Sequence, residues 1–475
     1  MTIQKDETMP KRIERDFLGE REIPNDVYYG VQTLRGIENF KITGLPISFE
    51  PYFIQAFGYV KKAAAMANRD LGVLDRPIAE ALIKACDRVI AGEFLDQFPS
   101  DLIQGGAGTS TNMNANEVLA NIALEEMGHR KGEYQYVSPN DHVNCSQSTN
   151  DAYPTAFRIA LINRLSSYSR ALAALRDAFA DKGREFSDVL KMGRTHLQDA
   201  VPMSMGDEFH GFSTNLGEEL SRIEDAKTLL SEVNMGATAI GTSVNAPSGY
   251  PQLVVKYLRE VTGIDLTLSE DLVEATSDTG AYVQLSGMLK RTAVKLSKIC
   301  NDLRLLASGP RTGLNEINLP QLQPGSSIMP GKVNPVIPEV VNQTTFYVIG
   351  ADLTVTLAAS AGQLQLNVME PVLGFALFTS IKMMENAVIA LRDKCVVGIT
   401  ANADRTREMV LGSLGIVTLL SPILGYKECA NIAREGYLQN KSIYQIVVQE
   451  RKLLTQEKWD EVYTTENLLH PHFIR

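Results

Sequence analysis

From Met205 onward, apolar side chains return every third or fourth position: Phe209, Phe212, Leu216, Leu220, Ile223, Ala226, Leu230 and Val233. A second stripe runs Leu285, Leu289, Ala293, Leu296, Ile299, Leu303, Leu306 and stops at Ser308-Gly309-Pro310. The first describes one face of a helix roughly eight turns long, and Gly-Pro is a clean end for the second. Helices this long with one apolar face must lie lengthwise against partners, because nothing else covers the whole stripe. Further helical patterns cover 53–70, 77–92, 117–127, 336–360 and 372–394, and the periods shorten after Thr400. Residues 16–45 mix Gly, Pro, Asn and aromatics without sustained period and read as irregular. The expected fold is all-α: a central long-helix bundle flanked by two smaller, mostly helical domains, with boundaries at 1–147, 148–402 and 403–475.

The bulk properties exclude several classes. With 475 residues, 44% hydrophobic and 21% charged, the chain is ordinary for a soluble globular protein. Its net charge of −10 and lack of Lys/Arg runs argue against nucleic acid or an anionic membrane as partner. No uninterrupted apolar run reaches about 18 residues; the most apolar stretch, after Val348, is broken by Asp352. The first fifteen residues include Lys5, Asp6, Glu7, Lys11, Arg12, Glu14 and Arg15, without an apolar signal segment. Cys86, Cys145, Cys300, Cys395 and Cys429 are odd in number and scattered, as reduced thiols in the cytoplasm would be. The histidines show no metal-ligand spacing, so no zinc or iron site is expected.

Four polar clusters stand at helix boundaries. Gly105–Asn114 and Ser146-Gln-Ser148-Thr149-Asn150-Asp151 both precede helical runs. One Ser, Thr or Asn suffices to cap a helix. Runs this long instead suit an anion held at a helix N-terminus by free N–H groups. Gly193-Arg194-Thr195-His196-Leu197-Gln198-Asp199 is either a polar site or a structural histidine with polar neighbours. The fourth cluster, Gly325-Ser326-Ser327-Ile328-Met329-Pro330-Gly331-Lys332-Val333-Asn334-Pro335, is barred from helix and strand by its glycines and prolines, and Glu339 follows it. Such a loop can turn several N–H groups inward as an anion-binding concavity. Neither a phosphate-binding loop nor a dinucleotide fingerprint is present. Many hydrogen-bond donors with one lysine suit a small organic dianion and proton chemistry on it.

These motifs resemble the aspartase/fumarase superfamily: the 325–335 loop, Gly108-Thr109 through Val118, Asn140-Asp-His-Val-Asn144, Ser148-Thr149-Asn150, and Gly193-Arg-Thr-His196. The resemblance runs from Leu18-Gly19 to His470-Pro471. It is closer to the aspartase branch than to class II fumarases, which read Gly-Thr-Gln-Ser where this chain has Gly108-Thr109-Ser110-Thr111. Those fumarases also carry Ser-Ser-Asn-Asp in place of Ser148-Thr149-Asn150-Asp151, and a histidine in place of Ser138. The resemblance implies reversible deamination of L-aspartate to fumarate and ammonia through an aci-carboxylate intermediate. It implies Ser326 as general base, with Thr109, Ser148, Thr149 and Ser327 as donors to the charge developing on the β-carboxylate. Lys332 and Asn334 would hold the α-carboxylate beside Thr195 and His196, Asn150 would read the amino group, and Glu339 would stand behind His196. A homotetramer with a shared multi-helix core and active sites built from several subunits is implied too. No cofactor is required, and activation by Mg²⁺ is left open. The alternatives are a class II fumarase and, more distantly, a non-catalytic structural member of the fold.

Overall fold

A computed structural model describes residues 10–470 and residue 472. Residues 1–9, which include Lys5, Asp6 and Glu7 of the charged positions read above, and residues 471 and 473–475 lie outside the described residues. The all-α expectation holds: helices dominate, and the described residues contain four two-stranded sheets. They divide into two compact units. One comprises residues 10–169, Ser221–Arg291 and Tyr347–Met383; the other comprises Arg170–Leu220, Thr292–Phe346 and residues 384–470.

The two stripes form the helices Met205–Leu230 and Gly280–Leu306. Every residue of the second stripe is buried. The first slips at one place: Leu220 is half-buried, and Glu219 beside it is fully enclosed. Its carboxylate pairs with Lys295 at 2.6 Å and accepts from Thr292 Oγ1 at 3.1 Å. An enclosed carboxylate needs such partners, because burial without them would cost several kcal/mol.

The first unit is packed around aromatic rings. Phe53 contacts Phe57, Tyr153, Phe157 and Phe378 at centroid separations of 5.2–6.1 Å. In the second unit, Phe179, Phe209 and Phe212 form one cluster. Val410, Ile416, Ile432, Ile446 and Trp459 form another core together with Leu190 and Met192.

Two expectations need correction. The segment read as irregular, 16–45, contains the strand Gly19–Pro24, which pairs antiparallel with Lys11–Asp16 just before it, and the helix Val31–Asn39. The helix expected over 117–127 begins eight residues earlier and spans Thr109–Glu126. Every residue from Thr111 to Leu124 is buried, so no solvent face exists to produce a stripe. Several of its polar side chains bond internally: Asn114 donates to Gln97 O, Asn121 donates to Tyr28 O, and Glu117 accepts from the N–H groups of Gly30, Gln32 and Thr33, whereas Thr111 Oγ1, Asn114 Oδ1 and Asn116 Oδ1 are buried without a hydrogen-bond partner among the described residues.

The helix Val336–Ser360 carries apolar residues on more than one side. Val341, Val348 and Val355 are buried, yet Phe346, Leu353 and Leu357 are each about 60% exposed. The helical segment Glu370–Gly398 is long and apolar enough to cross a membrane by length and composition. Its Leu373, Phe378, Ile381, Met384, Val388 and Leu391 are fully enclosed within the protein.

Candidate active site

In the first unit, Thr109 opens its helix directly after Gly108, whose φ of +87° few other residues tolerate. A Cβ at Gly108 would lie 2.2 Å from a ring carbon of Tyr153, so glycine lets the helix end approach that ring. The Thr109 hydroxyl is exposed and donates to Gly106 O at 2.8 Å.

Nearby in this unit, a π-helical turn, Pro139–Val143, leads to Ser148, Thr149 and Asn150 at the start of the helix Thr149–Glu185. Asp151 fixes this entry: its carboxylate accepts from Ser148 N at 2.9 Å, Thr238 N at 2.9 Å and Gly236 N at 3.1 Å. Burial nevertheless pushes the Asp151 carboxyl up to about 6. Ser148 Oγ accepts from Asn150 N, and Thr149 Oγ1 accepts from Asn112 Nδ2 at 3.2 Å. Each hydroxyl proton is therefore free to point at a ligand. Asn150 Nδ2 donates to Ala239 O at 2.8 Å, which leaves Oδ1 as the amide atom available to an amine. Asn144, Gln147, Ser148, Thr149 and Ala239 line a cleft of about 570 Å³.

This cluster contains a residue that sequence reasoning missed. Lys61 is 2% exposed, and its ammonium donates to Asn112 Oδ1, Gln147 Oε1 and Asn144 Oδ1 at 2.7, 2.9 and 3.1 Å. The signal was a lysine four residues after Phe57 and three before Ala64, on the apolar face of its helix.

In the second unit, Thr195 and His196 belong to a hairpin, Leu190–Thr195 with Gln198–Ser204. His196 and Leu197 form its two-residue turn at φ +54° and +61°. Asn or Gly usually occupies such turns, so this one holds backbone strain at an exposed tip. The other polar residues of that cluster have structural partners. Arg194 pairs with the buried Glu316 at 2.5 Å, and Asp199 accepts from Ser413 Oγ at 2.7 Å.

The 325–335 segment is a loop closed on itself. Gly325 N donates to Lys332 O, and Asn334 Nδ2 donates to Gly325 O, both at 2.7 Å. Ser326 Oγ accepts from Ile328 N at 3.1 Å and Met329 N at 2.9 Å. Ser327 and Lys332 are exposed, and Lys332 has no side-chain partner among the described residues. Asn334 thus braces the loop in addition to any contact with a ligand. Lys332, Asn334 and Glu339 line a cavity of about 720 Å³ together with Arg304. No hydrogen bond or ion pair joins His196 to Glu339 within the described residues.

A helical fold with hydroxyl-rich helix ends and a glycine-closed serine loop defines a class, and the comparisons agree. A family model described as lyase matches residues 19–350, and one described as the fumarase C C-terminus matches residues 416–470. The chain belongs to this lyase family, the superfamily its motifs resemble. Within it, the chain is 58% identical to aspartate ammonia-lyase of Escherichia coli (strain K12) over 463 residues, 97% of each protein. Among solved structures, it matches fumarate lyase:delta crystallin from Brucella melitensis bound to cobalt with a TM-score of 0.93 and 49% identity, covering 97% of this chain and 99% of that one. It matches recombinant class II fumarase from Schistosoma mansoni with a TM-score of 0.92 and 34% identity, covering 98% and 100%.

Proposed function

We propose that this chain is a carbon–nitrogen lyase that converts L-aspartate reversibly to fumarate and ammonia. The difference between 58% identity to an aspartate ammonia-lyase and 34% to a class II fumarase supports the substrate.

The difficult step is loss of a weakly acidic Cβ proton, which leaves extra negative charge on the adjacent β-carboxylate. In the proposed mechanism Ser326, as alkoxide, takes that proton. The charge passes to the carboxylate oxygens, where Thr109, Ser148, Thr149 and Ser327 donate hydrogen bonds. Collapse of the intermediate forms the C=C bond, and the ammonium group departs as ammonia with the C–N electron pair. Lys332 and Asn334, with Thr195 and His196, hold the α-carboxylate; Asn150 Oδ1 accepts from the amino group; Glu339 orients His196. The single observation behind the base assignment is the pair of N–H groups, from Ile328 and Met329, donating to Ser326 Oγ. Donors aimed at an oxygen favour its ionised form. The reaction so drawn requires no cofactor, and Mg²⁺ would enter only as an activator.

We also propose a homotetramer in which several subunits complete each active site. The exposed apolar face of Val336–Ser360 supports it, since a face of that kind is ordinarily covered by another copy. The hydroxyl cluster alone supplies no base, and the serine loop alone lacks most of the carboxylate donors. The division at residues 147 and 402 is retained as the proposed domain organisation. A cytoplasmic setting is proposed as well, supported by five free cysteines.

The test is purified protein assayed on L-aspartate, beside Ser326→Ala. Fumarate and ammonia should appear in equal amounts, and the variant should lose roughly 10²- to 10⁴-fold in kcat. Formation of malate from fumarate at a comparable rate without ammonia would replace the substrate assignment. Near wild-type turnover by the variant would remove only the serine base.

A further inference from the structure

We propose that Lys61 is a positioning residue for this reaction: it fixes Asn112 so that Thr149 presents its hydroxyl proton to a substrate carboxylate. The inference rests on the lyase reading above and assigns a task to a residue outside the substrate-contacting set.

Lys61 is unusual in its company. A buried lysine is ordinarily matched to a carboxylate. Here the ammonium meets three neutral amide oxygens, those of Asn112, Asn144 and Gln147. No carboxylate among the described residues lies within ion-pair distance of it. Asp151, its electrostatic neighbour, gives its oxygens to the backbone of Ser148, Gly236 and Thr238. For packing alone, an apolar side chain of the same length would serve at lower cost.

What the ammonium does is set direction. An amide that turns its oxygen toward a cation must turn its NH₂ group away. Asn112 therefore aims Nδ2 at Thr149 Oγ1, 3.2 Å away, and at Asn144 Oδ1, 3.1 Å away. A hydroxyl oxygen that accepts in this way keeps its one proton for another acceptor. Gln147 Nε2 donates to Val143 O and Cys145 O, while Asn144 Nδ2 donates to Gln147 O. These bonds hold the segment that carries Ser148 and Thr149 to the cleft. Donors in series also polarise one another, so the cation strengthens the final O–H donor.

The relay depends on the protonated amine, and burial pushes Lys61 down to about 7. The titratable groups facing it are Asp151, at the start of Thr149–Glu185, and Cys86, on Arg76–Ile90. The amides do not titrate. Rising pH therefore removes the charge, frees the three amides to reorient, and weakens carboxylate binding.

The experiment compares wild type, Lys61→Met and Asn112→Ala, using fumarate formation from L-aspartate across neutral and alkaline pH. Lys61→Met is expected to keep its circular dichroism spectrum and lose roughly 10- to 100-fold in kcat/KM near neutrality. The two profiles should converge as pH rises, because wild type loses the same charge. A purely structural lysine would instead give parallel profiles. If Lys61→Met fails to fold, Asn112→Ala carries the test, since Lys61 keeps two acceptors there. It should lose activity to a similar degree, and adding Thr149→Ala to it should cost no more than Thr149→Ala alone. Parallel profiles, normal kcat/KM in either folded variant, or additive losses would overturn the proposal. A wild type that makes no fumarate fails the lyase reading and takes the inference with it; an active wild type with unaffected variants fails the inference alone.

Discussion

Adding a methyl group at Gly325 tests whether the shape of the serine loop, apart from its side chains, is needed for turnover. The new Cβ would stand 2.8 Å from Asn334 N and 2.8 Å from Lys332 O, both backbone atoms that cannot rotate aside. Relief requires the base of the loop to open, with loss of the bonds from Gly325 N to Lys332 O and from Asn334 Nδ2 to Gly325 O. At about 1 kcal/mol each, these two bonds sum to about 2 kcal/mol, or roughly a 30-fold drop in the closed population. Gly325→Ala should therefore lower kcat/KM by roughly 30-fold, read from the ultraviolet absorbance of fumarate. The melting temperature should hardly change, because the loop adds nothing to either core. Gly331→Ala is the internal control. Gly331 has φ +80° but open space around it, so only the left-handed penalty of about 1 kcal/mol applies, a loss of roughly fivefold. Gly325→Ala activity within about twofold of wild type, or equal losses at the two glycines, would refute the reasoning.

Gly108→Ala should destabilise the protein by about 3 kcal/mol in denaturant titration, since the enclosed Tyr153 ring blocks the added methyl. Glu370 is buried, and its carboxyl is pushed up to about 8, with nearby Arg158 opposing the shift. A carboxyl whose folded value is raised binds its proton more tightly when folded, so stability from this group falls as pH rises from about 4.5 toward 8. Glu370→Gln should accordingly match wild type near the lower limit and melt higher than wild type above about pH 8. Phe346→Glu with Leu353→Glu, placed on the exposed apolar face, should shift sedimentation from the proposed tetramer toward smaller species and reduce activity.

The stripes at 205–233 and 285–306 announced their helices because each has one wet and one dry face. The helix Thr109–Glu126 has no wet face, and its asparagines and threonines passed for a loop until their buried surroundings were visible. The hairpin carrying Thr195 and His196 was hidden for another reason: its turn uses His196-Leu197 where sequence rules look for glycine or asparagine. Ser326, Lys332 and the hydroxyls at 109 and 148–149 stood out because helix packing gives no reason for them. Lys61 did not, since one lysine among alanines looks like a solvated position until three amide oxygens are found around it.

The enclosure of Thr109–Glu126 also bears on how such a protein can be retooled. Substitutions at Asn114 and Asn116 disturb interior neighbours, so this part of the wall of the site is largely closed to mutational exploration. Val244 and Asn245, beside the cleft, and the exposed residues of the 325–335 loop carry no such burden. Laboratory selection for other amines or other diacids should therefore gather its changes in those loops, and libraries that randomise the asparagine helix should yield mostly unfolded clones.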